Sequence, residues 1–256
     1  AEGLGVRFFD RSPVRSLRTE TDGDHPAVRI RTDGGSVVAD RAVVATNAFR
    51  SPVRQISRYV VPVYDHVLVT EPLSEAQRAS VGWSGRQGLS DVGNQFHYYR
   101  LTPDDRILWG GWDALYHFGN RVGPALEQSP ATSRTLARHF FETFPQLRGL
   151  RFTHRWGGPI ATTSRFTCAW GTSHGGRVAW AAGYTGLGVG ASRFGARVAL
   201  DLIDGQETER TGLAMVRRSP FPFPPEPLRW VAIQTTRRAL QRSDRRGGRR
   251  GTWLSL

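Results

Sequence analysis

Residues 181–190 read Ala181-Ala182-Gly183-Tyr184-Thr185-Gly186-Leu187-Gly188-Val189-Gly190. The pattern predicts a buried strand over Arg177–Gly183 before this stretch and a helix over Ala191–Ile203 after it, ending at Asp204–Gly205. Glycines let a backbone approach a ligand closely, and the start of a helix presents free N–H groups and the positive end of a dipole. The stretch therefore predicts a turn that suits a phosphate or a delocalised anion, although a purely structural turn fits the same glycines.

Short apolar runs upstream predict an antiparallel meander followed by a buried parallel strand. Strands are expected at residues 6–10, Val14–Arg18, Ala27–Thr32, Ser36–Ala39 and Arg41–Thr46. Two strong turn signals separate the meander strands, Asp22–Gly23–Asp24 and Asp33–Gly34–Gly35. The last run is continuously apolar, which is typical of a strand buried on both faces.

The middle of the chain alternates predicted strands with polar loops and contains one clear helix. Strands are expected at Tyr64–Thr70, Gln95–Leu101 and Arg106–Gly110. The helix is expected near 130–144, with Ser129 as its cap, Pro130 in its first turn, and an apolar stripe of Leu136, Phe140 and Phe144. Strands with a helix on one face indicate an α+β layer.

The net charge of +13 is carried by arginine alone, since all 35 basic residues are Arg. Residues 210–256 hold eleven Arg against Glu226 and Asp244, and a proline cluster within 216–229 predicts an extended arm before this basic tail. Such a tail could contact RNA, an acidic partner or a membrane surface. We favour a solvated, partly disordered tail, so that nucleic acid is not an expected partner.

Targeting and metal signals are weak. The apolar runs are too short to span a bilayer, no signal peptide is apparent, and the single Cys168 suits a reducing compartment, so a cytoplasmic location without membrane contact is expected. The seven histidines lack metal-ligand spacing, so no metal site is expected. Because the chain opens at Ala1 without Met, in what looks like the middle of a domain, we expect it to be a fragment.

Three segments in this order resemble the D-amino-acid-oxidase-like superfamily of FAD enzymes, within it the branch of glycine, sarcosine and γ-glutamylputrescine oxidoreductases. The segments are Ala42-Val43-Val44-Ala45-Thr46-Asn47-Ala48, Arg155-Trp156-Gly157-Gly158 and residues 182–188. The resemblance covers roughly residues 5–205. It implies an α/β plus α+β fold, in which a partial Rossmann-like FAD-binding domain with a β-meander is interrupted by a substrate domain built on an antiparallel sheet. The expected boundaries are 1–58, 59–155 and 156–215, with the arm and tail at 216–256.

The resemblance also implies roles for individual residues. Val14 would pack near the adenine side of FAD, and Ala45, Thr46 and Asn47 would line the cofactor crevice at the end of a parallel strand. The flavin ring would lie beside the glycine-rich stretch, namely Gly183, Tyr184, Thr185, Gly186, Leu187, Gly188 and Val189. The helix start would stabilise negative charge on the reduced flavin.

Several departures from the family pattern bear on cofactor and substrate. The opening Gly-x-Gly-x-x-Gly motif is not found, and no stretch before residue 41 substitutes for it, since Gly3 and Gly5 precede a predicted strand. Ile160 stands where many amino-acid oxidases carry a carboxylate-binding Arg, and Ala161 stands where some amine-oxidising relatives carry Asp. Cys168 does not align with the cysteine that tethers flavin in sarcosine oxidases, so non-covalent FAD is expected.

Aromatic residues suggest a substrate wall. Tyr98 and Tyr99 lie on a predicted strand, Trp109 on the next one with Trp112 just after it, and Trp156 re-enters the cofactor domain. Aromatic side chains suit an alkylamine, but ordinary core aromatics fit the same pattern. Ile160 completes the predicted substrate residues, and no catalytic acid or base is identified.

The predicted function is FAD-dependent oxidation of a C–N bond in an amine or amino acid, by hydride transfer to the flavin and hydrolysis of the resulting imine. Oxygen or another acceptor would reoxidise the flavin. The alternative is an inactive truncated fragment, or a binding module that uses the Arg-rich tail. Without the opening motif, we expect the chain alone to bind FAD weakly or not at all.

Overall fold

The computed structural model describes residues 2–23 and 25–247. Its strands are β1 (Ser16–Asp22), β2 (His25–Thr32), β3 (Gly35–Ala39), β4 (Ala42–Val44), β5 (Val61–Thr70), β6 (Leu89–Ser90), β7 (His97–Leu101), β8 (Ile107–Gly111), β9 (Leu115–Tyr116), β10 (Phe152–Thr162), β11 (Ala169–Ser173) and β12 (Val178–Ala182). Its α-helices are α1 (Arg54–Tyr59), α2 (Glu75–Val81), α3 (Pro130–Thr143), α4 (Gly188–Ile203), α5 (Glu209–Gly212), α6 (Ala214–Arg217) and α7 (Leu228–Arg245). Short 3-10 turns cover Glu2–Leu4, Pro124–Leu126 and Pro145–Leu147.

The chain divides into two compact units. The first comprises residues 1–61 and 161–223, and the second comprises residues 62–160 and 224–256. Each unit is therefore built from two separate stretches of the chain.

The first unit begins with the predicted meander, in which β1, β2 and β3 pair antiparallel in chain order. Gly23 and Gly35 both have positive φ at the two turns, as the glycine signals predict. Leu17 and Val28 are buried on one face of this sheet and join the core that also contains Val44. The meander is thus attached to the rest of its unit by apolar packing.

A second sheet in the same unit has the strand order β11-β12-β4. The strands β11 and β12 are antiparallel, whereas β4 runs parallel to β12 with Val44 opposite Trp180. Every residue of β12 is buried, as the continuous apolar run predicts. Helix α4 covers one face, where Ala179 packs against Ala199 and Ile203. This strand–loop–helix arrangement confirms the α/β part of the predicted fold.

The second unit is built on a six-stranded sheet in the order β10-β5-β8-β7-β6, with β9 pairing to β5. Strand β8 pairs antiparallel with β5 and β7, β6 pairs antiparallel with β7, and β9 pairs antiparallel with β5. Helix α3 starts where the sequence predicts, because Ser129 Oγ accepts a hydrogen bond from Thr132 N at 3.3 Å and Pro130 follows it. Leu136 and Phe140 of this helix are fully buried in one core with Leu68 and Trp109.

Residues 6–10 do not form the predicted strand. They are irregular, and both Phe8 and Phe9 are exposed. A strand requires a neighbour for its backbone hydrogen bonds, and none of the described strands pairs with this segment. The expectation that Gly3 and Gly5 precede a strand is therefore wrong.

Residues 228–245 form helix α7, although a solvated, partly disordered tail was the expectation for this region. Polar contacts hold it in the second unit, among them a hydrogen bond from Gln234 Nε2 to the Tyr116 carbonyl at 3.4 Å. Arg237 Nη2 lies 2.9 Å from Asp113 Oδ1, with both side chains mostly buried. Asp244 accepts hydrogen bonds from the backbone N–H groups of Asn94 and Gln95 at 2.8 and 2.9 Å. The Arg249–Arg250 pair lies outside the described residues.

The proline-rich residues 219–227 are irregular or turn-like, in keeping with the predicted arm. Of the helices within the described part of the chain, none is both long enough and apolar enough to cross a bilayer.

Candidate functional site

Two strand ends lie side by side in the first unit. Because β4 and β12 are parallel and Val44 pairs with Trp180, Ala45–Asn47 and the loop that begins at Gly183 leave the same edge of the sheet. Carboxyl ends of parallel strands are where α/β sheets place ligands. The structure therefore brings together the two main groups of predicted cofactor residues.

The loop after β12 has a tightly determined path. Gly183 has φ +81°, and a Cβ at this position would overlap Cγ2 of Thr163. Thr185 N donates to the carbonyl of Ala161 at 2.9 Å, and Thr185 Oγ1 donates to the carbonyl of Gly183 at 3.1 Å. Leu187 N closes the turn by donating to the Tyr184 carbonyl at 3.0 Å. These bonds fix the backbone before any ligand binds.

Tyr184 anchors the loop to helix α4. Its phenol lies against Gly195, where a Cβ would overlap the phenol oxygen. It also forms a side-chain hydrogen bond with Cys168, and burial raises the pKa of Tyr184. Burial raises the pKa of the Cys168 thiol to about 12, so this group is protonated at neutral pH. Tyr184 and Cys168 are structural supports of the loop in this arrangement.

The outer part of the loop is open. Helix α4 begins at Gly188 with Leu187 as its N-cap residue, and no side chain caps it. The first N–H groups of a helix have no intrahelical acceptor. Leu187 and Val189 expose their side chains, and a Cβ at Gly190 would meet open space. This end of α4 thus presents backbone donors beside exposed apolar side chains.

Thr46 adds an unused polar group at the neighbouring strand end. Within the described residues, its Oγ1 is a buried atom without a hydrogen-bond partner. Asn47, next to it, has φ +49°, and Phe49 N donates to the Thr46 carbonyl at 3.0 Å. A buried hydroxyl without a partner is costly, so this site suits a polar ligand atom. Free backbone donors, apolar Leu187 and Val189, and this hydroxyl together fit an isoalloxazine ring.

The remaining predicted cofactor residue, Val14, lies elsewhere. It is on the irregular segment before β1 and is exposed by 44%. The structure does not bring it to the strand ends of β4 and β12.

The predicted substrate residues fall into different environments of the second unit. Tyr99 and Trp109 face helix α3, and their rings lie 4.9 Å apart in the core that contains Phe140 and Phe144. Trp112 packs beside them at the edge of the same core. Tyr99, Trp109 and Trp112 are therefore core aromatics, which is the alternative to a substrate wall that the sequence pattern also fits.

Tyr98 instead lies on the opposite face of the same sheet. It pairs with Gly110, and a Cβ on that glycine would lie 2.6 Å from the Tyr98 ring. The ring therefore lies across Gly110, and its hydroxyl donates to Asp65 Oδ2 at 2.7 Å. Trp156 and Ile160 are on β10, where Trp156 is exposed by 44%.

Asp65 is absent from the predicted site residues. It is a half-buried acid on β5, and burial raises the pKa of its carboxyl group. The available signal is the run Val60-Val61-Pro62-Val63-Tyr64-Asp65-His66-Val67-Leu68-Val69, where an acid interrupts an apolar strand. Thr163 is likewise absent, and only the structure reveals that it supports Gly183. Across the described part of the chain, no three His, Cys, Asp or Glu side chains gather as a set of metal ligands.

Comparison with known proteins identifies the family of the chain. The family profile "FAD dependent oxidoreductase" matches residues 1–202. The probable oxidoreductase OrdL of Haemophilus influenzae is 29% identical over 213 residues, which are 80% of this chain and 44% of that protein. The γ-glutamylputrescine oxidoreductase of Escherichia coli is 29% identical over 220 residues, which are 85% of this chain and 48% of that protein. The chain therefore spans about half the length of these curated relatives.

Solved structures of the same fold include two amino-acid-directed enzymes. The L-proline dehydrogenase of P. horikoshii matches with a TM-score of 0.63 at 19% identity, over 81% of this chain and 53% of that one. The glycine oxidase of Geobacillus kaustophilus matches with a TM-score of 0.61 at 18% identity, over 82% and 53%. With the family profile matching most of its length, this chain belongs to the FAD dependent oxidoreductase family.

Proposed function

We propose that the chain forms the flavin-ring side of a non-covalent FAD site in an enzyme that oxidises a C–N bond of an amine or amino acid. The observation that carries this proposal is the loop 183–190, which leaves β12 beside the end of β4 and presents the uncapped start of α4. The relatives named for γ-glutamylputrescine and glycine support the substrate class. In this proposal the first unit binds the cofactor and the second binds the substrate.

When bound, FAD would supply the acceptor for a hydride from the carbon next to the substrate nitrogen, and the resulting imine would hydrolyse in water. The residues of the chain orient the ring and stabilise charge. The N–H groups of Gly188 to Gly190 would hold the part of the ring that gains negative charge, and the α4 dipole would favour that charge. Thr46 Oγ1 would donate to a ring oxygen, and Leu187 and Val189 would exclude water from the ring edge.

The substrate side favours an amine over a free amino acid. Ile160 offers no bidentate partner for a substrate carboxylate, and Ala161 offers no cation partner. An amine without a carboxylate does not need a bidentate carboxylate partner, whereas a free amino acid does. We propose oxygen or another acceptor as the species that reoxidises the flavin.

Anaerobic reduction tests this proposal. The purified chain is mixed with FAD and a panel of primary and secondary amines and amino acids without oxygen, and flavin absorption is followed. Bleaching by an amine, faster than in a protein-free control, is the expected result. Bleaching by no member of the panel would contradict the proposal. Bleaching by amino acids alone would contradict the preference for an amine.

A further inference from the structure

Asp65 has a defined place in the second unit. The register puts Tyr98, Gly110 and Val67 in one row across strands β7, β8 and β5. Since side chains alternate along a strand, Asp65 lies on the same face as Val67, two residues away. Helix α3 covers the other face, where Leu68 and Trp109 are buried. Asp65 and Tyr98 therefore share the sheet face that α3 leaves uncovered.

Three donors orient the Asp65 carboxylate, one of which is the backbone N–H of Gly111. Tyr98 Oη donates to Oδ2 at 2.7 Å, and the backbone N–H of His66 donates to Oδ1 at 2.9 Å. Gly157, within the Trp-Gly-Gly run, approaches closely, since a Cβ there would lie 3.0 Å from the Asp65 carbonyl oxygen. The donors thus hold the carboxylate in one orientation, and the backbone of Asp65 lies beside a segment on which the family resemblance rests.

Among the described residues, Asp65 also has no cationic partner. The other mostly buried aspartates have one, since Asp113 pairs with Arg237 and Asp201 pairs with Arg210. In the portion of the chain that the structure describes, no Arg or His side chain lies within ion-pair distance of Asp65. The neighbouring His66 is not a cation at neutral pH, because burial lowers its pKa. Buried carboxylates normally have a positive partner.

We propose that Asp65, oriented by Tyr98, binds a protonated nitrogen of the ligand, and that this nitrogen is a second, non-reacting ammonium of the amine substrate. The inference rests on the proposed function, and it narrows the substrate class to linear diamines or amines with a second cationic group.

Proton chemistry selects the non-reacting nitrogen. Loss of a hydride from carbon requires the lone pair of the adjacent nitrogen, so the reacting nitrogen must be unprotonated. A carboxylate partner stabilises an ammonium ion and so holds the proton on its nitrogen. Asp65 therefore suits a nitrogen that stays charged throughout the reaction. The same charge disfavours a ligand carboxylate, in keeping with Ile160 in place of an Arg.

Calorimetric titration of the purified chain tests the inference without relying on turnover. The probes are a linear α,ω-diamine, the monoamine of equal length, and the ω-amino acid of equal length. The variants are Asp65→Asn and Tyr98→Phe. A control, Glu142→Gln, removes an exposed charge on helix α3. Circular dichroism verifies that each variant is folded.

The wild type is expected to bind the diamine about ten- to a hundredfold more tightly than the monoamine, the range of one charge-assisted hydrogen bond. Asp65→Asn should abolish this preference, Tyr98→Phe should reduce it, and Glu142→Gln should leave it unchanged. Equal affinity of the wild type for diamine and monoamine, or an undiminished preference in Asp65→Asn, would overturn the inference.

Flavin binding is read separately by flavin fluorescence. If the chain prefers the diamine through Asp65 but does not bind flavin, the result supports this inference and contradicts the proposed function. If the chain binds flavin but does not prefer the diamine, the result supports the proposed function and contradicts this inference.

Discussion

Gly183 and Thr163 lie so close together that a Cβ on the glycine would overlap Cγ2 of the threonine. Gly183 also has φ +81°, which an L side chain rarely adopts. Thr163 is fully buried, and its hydroxyl donates to the Thr167 carbonyl at 2.7 Å, so it cannot move aside easily. This contact sets the direction in which the loop leaves β12, and with it the position of the start of α4.

Gly183→Ala should therefore lower the free energy of unfolding by roughly 2–4 kcal/mol, from the strained φ and the overlap together. Urea unfolding followed by tryptophan fluorescence measures it. Gly158→Ala is the matched control, because Gly158 has no positive φ and a Cβ there meets nothing within 4 Å. A loss of stability no greater than that of the control would show that the contact does not constrain the loop.

The loop glycines at 186 and 190 should respond in opposite directions. Gly186 has φ +87°, so Gly186→Ala should cost about 1–2 kcal/mol. Gly190 lies in the first turn of α4 with open space around it, so Gly190→Ala should gain about 0.5–1 kcal/mol. Thermal unfolding of both variants provides the measurement. A destabilised Gly190→Ala would mean that helix α4 does not begin where described.

The raised pKa of Asp65 predicts a pH-dependent stability. Its ordinary value is 3.8, and burial is the main cause of the increase. The folded chain therefore binds this proton more tightly than the unfolded chain, so the free energy of unfolding falls as pH rises from 3.8 through the raised pKa.

Asp65→Asn removes this dependence, and the Tyr98 hydroxyl can still bond to the amide. The variant should be more stable than the wild type at neutral pH, with a difference that disappears below pH 3.8. Urea unfolding across this range measures it. A variant less stable at neutral pH would indicate that the charge itself stabilises the fold.

Helix α7 should contribute to the stability of the second unit. Asp244 accepts hydrogen bonds from the N–H groups of Asn94 and Gln95, and their loss should cost about 1–3 kcal/mol in Asp244→Ala. The exposed Arg238 on the same helix provides the control, since Arg238→Ala should change stability by less than about 0.5 kcal/mol. Equal effects of the two substitutions would indicate that the Asp244 hydrogen bonds do not stabilise the fold, as expected if α7 were a solvated tail.

Local sequence patterns predict much of the first unit and helix α3 of the second unit. The glycine turns of the meander and the apolar run of β12 each carry a strong local signal, and both are present. The helix predicted over Ala191–Ile203 is also present, but it begins at Gly188, because the turn already closes where Leu187 N donates to the Tyr184 carbonyl. The cap at Ser129 and the stripe of Leu136 and Phe140 likewise define α3. Such elements follow from backbone propensity and from the period of the apolar residues.

Features that depend on tertiary partners are harder to predict from the sequence. Residues 6–10 have strand-like composition but no described pairing partner, and α7 depends on Asp113 and Asn94, which are far away in sequence. The aromatic residues show the same limit. Alternation predicts that neighbours on β7 face opposite sides, but only the position of α3 decides that Tyr99 enters the core while Tyr98 reaches Asp65.

The flavin site is tested most directly by titrating FAD with the chain and following flavin absorption and fluorescence. Gly188→Val adds a side chain at the start of α4, where its Cβ would lie 3.6 Å from Tyr184 Cβ, an ordinary van der Waals contact. Gly212→Val, outside the loop in open space, is the control. We expect saturable but weak binding by the wild type and the control, and at least about tenfold weaker binding by Gly188→Val, because backbone donors need close approach. Equal FAD affinity in all three proteins would contradict a flavin site at this loop.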